Sequence, residues 1–379
     1  MEKPIVFNLI RKAINGKVII YELLKANNNL SQLIYSFITN RYIQMTKYPI
    51  YLFLLCMPLL VSSCNSVKES VKKKNNDAGI KSDSDFKVIG YFMPGHDGKN
   101  RVASIPYQYL TSINYCCAMR SPDNSSILMP LSNPDILNLL VTNAHAHGVK
   151  IFITVGVDGS GGPGMDIAFA NSEVARISIV HSVTKMVRQF NLDGVDIDWE
   201  FPDPVEPQAT DFVLLMKQLA DSLHKTGKKL SAAVESYHSP YGYGVREEVF
   251  RIADWFNIMG YDEDIGFNLL TPHSPFWLAV KSFDYWVTKR GMPKEKAVMG
   301  VPFYGKDAEH KYHSYRDLLA RGADPYADLY DSVYYNGIKT IQQKIKLAKK
   351  RGAGIMIWEI SEDTIGQYSL LKAIHDAIQ

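Results

Sequence analysis

The chain has 379 residues, 46% of them hydrophobic, with 42 Lys and Arg against 39 Asp and Glu and a formal net charge of +3. That length and apolar content suffice to bury a large core, and the near balance of charge gives no electrostatic case for nucleic acid. The ten histidines form no H-x-x-x-H pair with a carboxylate partner, so neither a metal nor another cofactor is expected.

In chain order, the first distinctive stretch is Met45 to Cys64: a short basic start, an apolar run of leader-peptide length, and small residues before a cysteine. The run is too short for a comfortable membrane span. Its ending, Val61-Ser62-Ser63-Cys64, resembles a bacterial lipoprotein processing site, in which the cysteine becomes the lipidated first residue. The expected division is therefore an over-extended N-terminus over 1–44, a lipoprotein-type signal peptide over 45–63, the lipidated Cys64 and a flexible tether over 64–85, and a folded domain over 86–379. The alternative is a membrane anchor with a cytoplasmic arm. The tether reading rests on composition: Asn65 to Asp85 is rich in Lys, Asp, Ser and Asn, and cannot offset its ordering entropy by burial. A lipid-anchored protein of the cell envelope, with the outer membrane the expected site, follows from that reading.

From Phe86 onward short apolar runs alternate with longer amphipathic ones, the pattern of a parallel β/α protein. Eight strand-like runs are predicted: Lys87–Phe92, Ser112–Met119, Lys150–Val157, Gly194–Phe201, Lys229–Ser236, Asp254–Tyr261, Ala297–Gly305 and Gly354–Ile360. Helical spacing appears between them, as in Ile177, Val180, Val183, Val187 and Phe190 after a capping Ser172, in Phe212, Leu215, Leu219 and Leu223, and in Ile338, Ile341, Ile345 and Ala348. Eight such units favour a closed (β/α)8 TIM barrel over an open doubly wound sheet, and no G-x-G-x-x-G follows the first strand. Cys116 and Cys117 are read as two small apolar residues facing opposite sides of a strand rather than as a redox pair.

The fourth run carries the chemistry. Asp196, Asp198 and Glu200 fall on alternate residues, so in a strand they share one face at roughly 6–7 Å intervals, while Val195, Ile197 and Trp199 take the other. Like charges so close raise one another's pKa and favour a shared proton, which suits Glu200 to act as a general acid. A calcium loop needs a Gly turn after the third acid, where this chain has Phe201 and Pro202.

Asp193-Gly-Val-Asp-Ile-Asp-Trp-Glu200 resembles the D-G-x-D-x-D-W-E signature of glycoside hydrolase family 18, the chitinases and related endo-acting N-acetylglucosaminidases. Further stretches are similar to that family's strand ends: Ile89-Gly90-Tyr91-Phe92, Phe256 to Asp262, Gly300 to Gly305, and Ile355 to Glu359. Thr154-Val155-Gly156-Val157 departs from the S-x-G-G motif expected on strand three, though Thr keeps the hydroxyl. The resemblance implies hydrolysis of β-1,4 bonds after N-acetylglucosamine in chitin oligosaccharides, by a retaining mechanism in which the substrate's own 2-acetamido oxygen is the nucleophile. It further implies Glu200 as acid and base, Asp198 as the orienter of the acetamido group, Asp196 as its deeper proton-sharing partner, Tyr261 as a hydroxyl donor and Trp358 as the floor under the sugar. Met259, Asp262, Tyr91 and Tyr304 are expected to line the site.

Two rivals stay open at this point: an endo-β-N-acetylglucosaminidase acting on the chitobiose core of N-glycans, and a non-catalytic glycan-binding lipoprotein. The Tyr-rich stretch from Lys306 to Asn336 is too short for the large α+β module that long-cleft relatives insert there, so a shallow groove and non-processive action are expected, in a monomer. Gly159 to Gly164 reads as a rim loop, Trp277 and Trp286 as core or barrel exterior, and Trp255 and Glu235 have no assigned place.

Overall fold

The computed structural model describes residues 86–95, 97–119, 131–156, 170–199, 202–237, 241–263 and 271–379. The expectations for Cys64, the rest of the N-terminal region, the glycine-rich run 159–164 and Glu200 lie outside them. Eight parallel strands close into a barrel: β1 (Lys87–Phe92), β2 (Ser112–Met119), β3 (Lys150–Gly156), β4 (Gly194–Asp198), β5 (Lys229–Val234), β6 (Trp255–Ile258) and β7 (Ala297–Pro302), with β12 (Gly354–Trp358) returning between β7 and β1. The β4, β5, β6, β7 and β12 strands are shorter at their C-terminal ends than the apolar runs suggest. The reason lies in what those ends do: they leave the hydrogen-bonded ladder to form the mouth.

The helices α1 (Gly98–Ser104), α2 (Pro134–Ala146), α3 (Glu173–Gln189), α4 (Gln208–Leu223), α5 (Glu247–Ile252) and α6 (Phe276–Phe283) follow the strands in turn. In α3 Ser172 caps the helix, its hydroxyl accepting the Ala175 N–H at 3.2 Å. Its buried face is Ala175, Arg176, Ile179, Val183 and Val187, whereas Ile177 is 55% exposed. Arg176 is buried there because it bonds the Ala170 carbonyl at 2.7 Å and the Asp211 carboxylate of α4 at 2.8 Å, locking two neighbouring helices together. α4 buries Phe212, Leu215, Leu219 and Leu223 as their spacing requires.

Between β7 and the last strand the chain builds a small outer sheet of β8 (Tyr304–Lys306), β9 (Tyr312–Ser314), β10 (Leu329–Tyr330) and β11 (Val333–Tyr334), with the short helix α7 (Tyr315–Ala320). The expected single run Ala297–Gly305 thus breaks at Phe303, where the chain leaves the barrel for this sheet. No large insertion module stands there. α8 (Ile338–Arg351) and α9 (Leu370–Ile378) complete the outer layer, and α8 buries Ile338, Ile341, Ile345 and Ala348.

Cys116 and Cys117 are adjacent in β2 with their side chains turned toward each other, not to opposite faces as expected. Simple alternation would have turned the two side chains apart, but β2 pairs Tyr115 with Ile153 and Ala118 with Val155, so it holds one residue more than β3 over that interval. A bulge of this kind breaks the strict facing rule.

Candidate active site

Strand β4 is set in place from its N-terminal side. Asp193 accepts the Ile151 N–H at 2.9 Å, lies 2.8 Å from His145 Nε2, and donates its own N–H to the Ile151 carbonyl at 2.7 Å. Gly194 comes next because the Phe152 ring and the Lys229 carbonyl fill the space that a Cβ would need. From that fixed start, alternation sends Asp196 and Asp198 into the barrel. Val195, Ile197 and Trp199 pack outward, and Trp199 meets Phe212 of α4 edge-on with ring centroids 5.6 Å apart.

Asp196 is fully buried. Its neighbours in register on the flanking strands are Thr154 and Ser231, so a hydroxyl stands on either side of the carboxylate. Ser231 donates to Oδ1 at 2.5 Å and Asn257 Nδ2 to the same oxygen at 3.0 Å. The Tyr91 hydroxyl donates to Oδ2 at 2.5 Å, and Thr154 to that oxygen at 3.4 Å. Burial raises the pKa of Asp196 above the ordinary carboxylate range, and these four donors oppose the rise without cancelling it. Tyr91 is pushed well up, first by its burial and then by the charges of Asp196 and Asp198. The phenol therefore stays a donor at any physiological pH.

Above this layer the strand ends bring aromatic and sulfur side chains together. Tyr261, Met259 and Trp358 pack in one cluster with Tyr91, Trp255 and Met356 inside the barrel. The Tyr261 hydroxyl lies 3.7 Å from Met356 Sδ, and the rings of Tyr91 and Trp358 are 5.3 Å apart. Room for Tyr261 exists because residue 300 is glycine: a Cβ there would come within 3.0 Å of the Tyr261 ring and 2.5 Å of the Ile258 carbonyl. Trp255 proves to share the inward face with Asn257 and Met259, as positions two and four residues apart must.

Asp262, the residue after Tyr261, is a hub. It adopts φ 58°, a left-handed conformation that Asp tolerates better than most residues. Its Oδ1 accepts the Tyr304 hydroxyl at 2.5 Å and the Lys306 ammonium at 2.8 Å and lies 3.3 Å from His273 Nδ1, while Oδ2 accepts the Tyr312 hydroxyl at 2.9 Å. Burial alone would raise its pKa, but the contact with His273, the charge of Lys306 and the remaining donors outweigh that and hold it well below the usual range. Tyr304 and Tyr312 stack with centroids 4.4 Å apart, so the small outer sheet is tied directly to the end of β6.

The structure thus brings Asp196, Asp198, Tyr91, Tyr261, Met259, Asp262, Tyr304 and Trp358 to one end of the barrel. Sequence reading missed Ser231 as a partner of Asp196, although a lone hydroxyl at an inward position of the apolar strand Lys-Leu-Ser-Ala-Ala-Val was a usable signal. Glu235, left unassigned, is 9% exposed at the end of β5 and accepts the Gly242 N–H at 2.7 Å. Burial pushes it up to about 7, partly offset by that bond and by the charge of Arg290. Trp286, fully buried, donates its indole N–H to the Glu235 carbonyl at 2.8 Å, and Trp277 remains 39% exposed under Lys281.

Comparison with known proteins agrees with this fold. The family profile described as Glycosyl hydrolases family 18 matches residues 87–363. The chain is 27% identical over 297 residues to Probable chitinase 2 of Drosophila melanogaster, covering 62% of this chain and 60% of that protein. Among solved structures it is similar to the family 18 chitinase ChiB from the chitin utilization locus of Flavobacterium johnsoniae, at 27% identity and TM-score 0.67 over 77% of this chain and 94% of the other. A chitinase from Bacteroides thetaiotaomicron superposes with TM-score 0.69 at 25% identity, over 77% of this chain and 96% of the other.

Proposed function

Because the chain belongs to glycosyl hydrolase family 18, we propose that it cleaves β-1,4 bonds after N-acetylglucosamine in chitin oligosaccharides, with the substrate's acetamido oxygen as nucleophile. The observation that carries this reading is the pairing of Asp196, buried and held by four donors, with Asp198 two residues nearer the mouth on the same face of β4. Both carboxylates approach the sugar from one strand and one side. A nucleophile attacking from the opposite face of the anomeric carbon then comes from the substrate itself.

In this mechanism Glu200 protonates the leaving oxygen and later activates water. Asp198 orients the acetamido N–H and stabilises the cyclic oxazolinium, while Asp196 below it holds or releases a proton as that charge develops. Tyr261 donates its hydroxyl to the acetamido carbonyl, and Trp358 supplies the apolar floor. Holding the acetamido group in reach is where orientation contributes most to the rate. Proton NMR of a fresh chitotetraose digest should show the β-anomer first, and oligosaccharides deacetylated before the scissile bond should not be cut. An initial α-anomer, or cleavage after glucosamine at a comparable rate, would overturn the assignment.

The small outer sheet supports a shallow groove and non-processive cleavage, and the same groove admits the chitobiose core of an N-glycan. Parallel assays on chitotetraose and on a high-mannose glycoprotein separate the two substrates. Cys64 is the attachment point of a lipid that tethers the enzyme to the cell envelope. Metabolic labelling with a palmitate analogue, lost in Cys64→Ala, is the expected result, and labelling that persists in the variant would refute it.

A further inference from the structure

Lys344 lies on α8, on the outer side of the barrel, yet it is fully buried. Its ammonium donates to the Ser274 carbonyl at 2.8 Å, to Ser274 Oγ at 2.6 Å and to Asn336 Oδ1 at 2.7 Å. All three donors are used, and none of its partners among the described residues is a carboxylate. Taking an amine out of water without a paired charge is costly, and a Leu or Met of similar size would fill the space without that cost. The three acceptors show what the amine accomplishes there.

Ser274 passes the tie on. Its hydroxyl donates to the Gly260 carbonyl at 2.6 Å, at the peptide that leads into Tyr261. The preceding residue, His273, lies 3.3 Å from Asp262 Oδ1 through Nδ1, and its carbonyl accepts the Glu263 N–H at 2.9 Å. Asn336 Nδ2 adds a further bond to the Ser274 carbonyl at 2.9 Å. Gly260 precedes Tyr261 and Asp262 follows it, so the pair His273-Ser274 grips the backbone on both sides of the residue assigned to the acetamido group.

We propose that Lys344 is a positioning residue of the active site, fixing Tyr261 from behind through Ser274 and His273. The role as a contributor to turnover rests on the hydrolase reading above, whereas the mechanical tie does not. Burial pushes the Lys344 amine down to about 7, with Asp328 acting in the opposite direction from a distance. Among the described residues, the titratable groups that interact with it are Asp328 and His273. Asp328 is itself engaged by the Gly337 N–H and the Thr340 hydroxyl, and His273 is disfavoured as a cation by burial first and also by the charges of Lys306 and Lys344. A neutral amine has two donors for three acceptors, so deprotonation loosens the grip, and the alkaline side of the rate profile should carry this step near pH 7.

The test uses the full-length protein with Ser274→Ala and Lys344→Met. Ser274→Ala leaves Lys344 its bonds to the Ser274 carbonyl and to Asn336 while removing the link to Gly260, so the fold should survive. On chitotetraose we expect kcat to fall by about tenfold in Ser274→Ala with KM changed by less than about threefold. In Lys344→Met the loss should be at least as large and the alkaline step should disappear. Amide hydrogen exchange over 258–263 reads the tie without any substrate, and both variants should exchange faster there than the wild type while other β-strand amides keep their protection. Unchanged exchange in a folded Ser274→Ala overturns the proposal whatever the substrate is. Faster exchange with kcat unaltered on a substrate the wild type cleaves overturns the catalytic part. A wild type inactive on chitotetraose but loosened by the substitutions would count against the substrate assignment while upholding the tie.

Discussion

The hydroxyl of Tyr91 meets Asp196 Oδ2 at 2.5 Å, joining the first barrel strand to the fourth across the barrel interior. Tyr91→Phe removes one of four donors to a buried carboxylate and leaves the shape of the interior intact. A hydrogen bond to a charged group contributes about 1.5–3 kcal/mol. We expect thermal stability to drop by a few degrees and kcat/KM to fall by about tenfold. Calorimetry and steady-state kinetics check this, and an unchanged kcat/KM would remove Tyr91 from the machinery.

Glu200 supplies a proton and little else in the proposed mechanism. Glu200→Gln should keep the affinity for sugar, measured by calorimetric titration with chitotetraose, and lose a factor on the order of 10²–10⁴ in turnover. Near-normal rates would place the acid elsewhere.

Glu235 gives a pH signature of stability rather than of rate. Its folded pKa, about 7, lies above the ordinary value of 4.5, so between those values the native state holds a proton that the unfolded chain has lost. Stability is then full below about pH 4.5 and declines as pH rises to 7, by up to about 3 kcal/mol at 1.36 kcal/mol per unit. Glu235→Gln keeps an acceptor for the Gly242 N–H and should flatten the decline in a series of melting curves from pH 5 to 7.5. An equally steep decline in the variant would assign it to other groups.

Asp262 works in the opposite direction, its folded pKa lying below the unfolded one. Its contribution is present above the unfolded value near 4 and is lost as pH falls through the folded value. Asp262→Asn leaves the Lys306 ammonium without its carboxylate and weakens the bonds from Tyr304 and Tyr312. The expected cost is about 1–2 kcal/mol at neutral pH, shrinking on acidification. Denaturant titrations at pH 7 and pH 3 compare the two, and equal costs at both would exclude the charge as the cause.

The sequence by itself determined the eight-unit barrel, the inward face of β4 and the gathering of strand-end residues at one mouth. Those are consequences of local periodicity: alternation of two on strands, spacing of three and four on helices, and the requirement that parallel strands share a direction. Asp196 and Asp198 could be placed because their facing depends only on neighbours along one strand. The tertiary structure decided what surrounds them. Thr154, Ser231 and Asn257 reach Asp196 from 42, 35 and 61 residues away along the chain, and a register shift of one residue would have turned each of them outward. The same holds for Cys116 and Cys117, whose meeting depends on a bulge set by pairing with β3, and for Glu235, whose burial is imposed by Gly242, Arg290 and Trp286 from later elements. Local pattern tells which way a side chain points, and only closure of the barrel settles which others point at it.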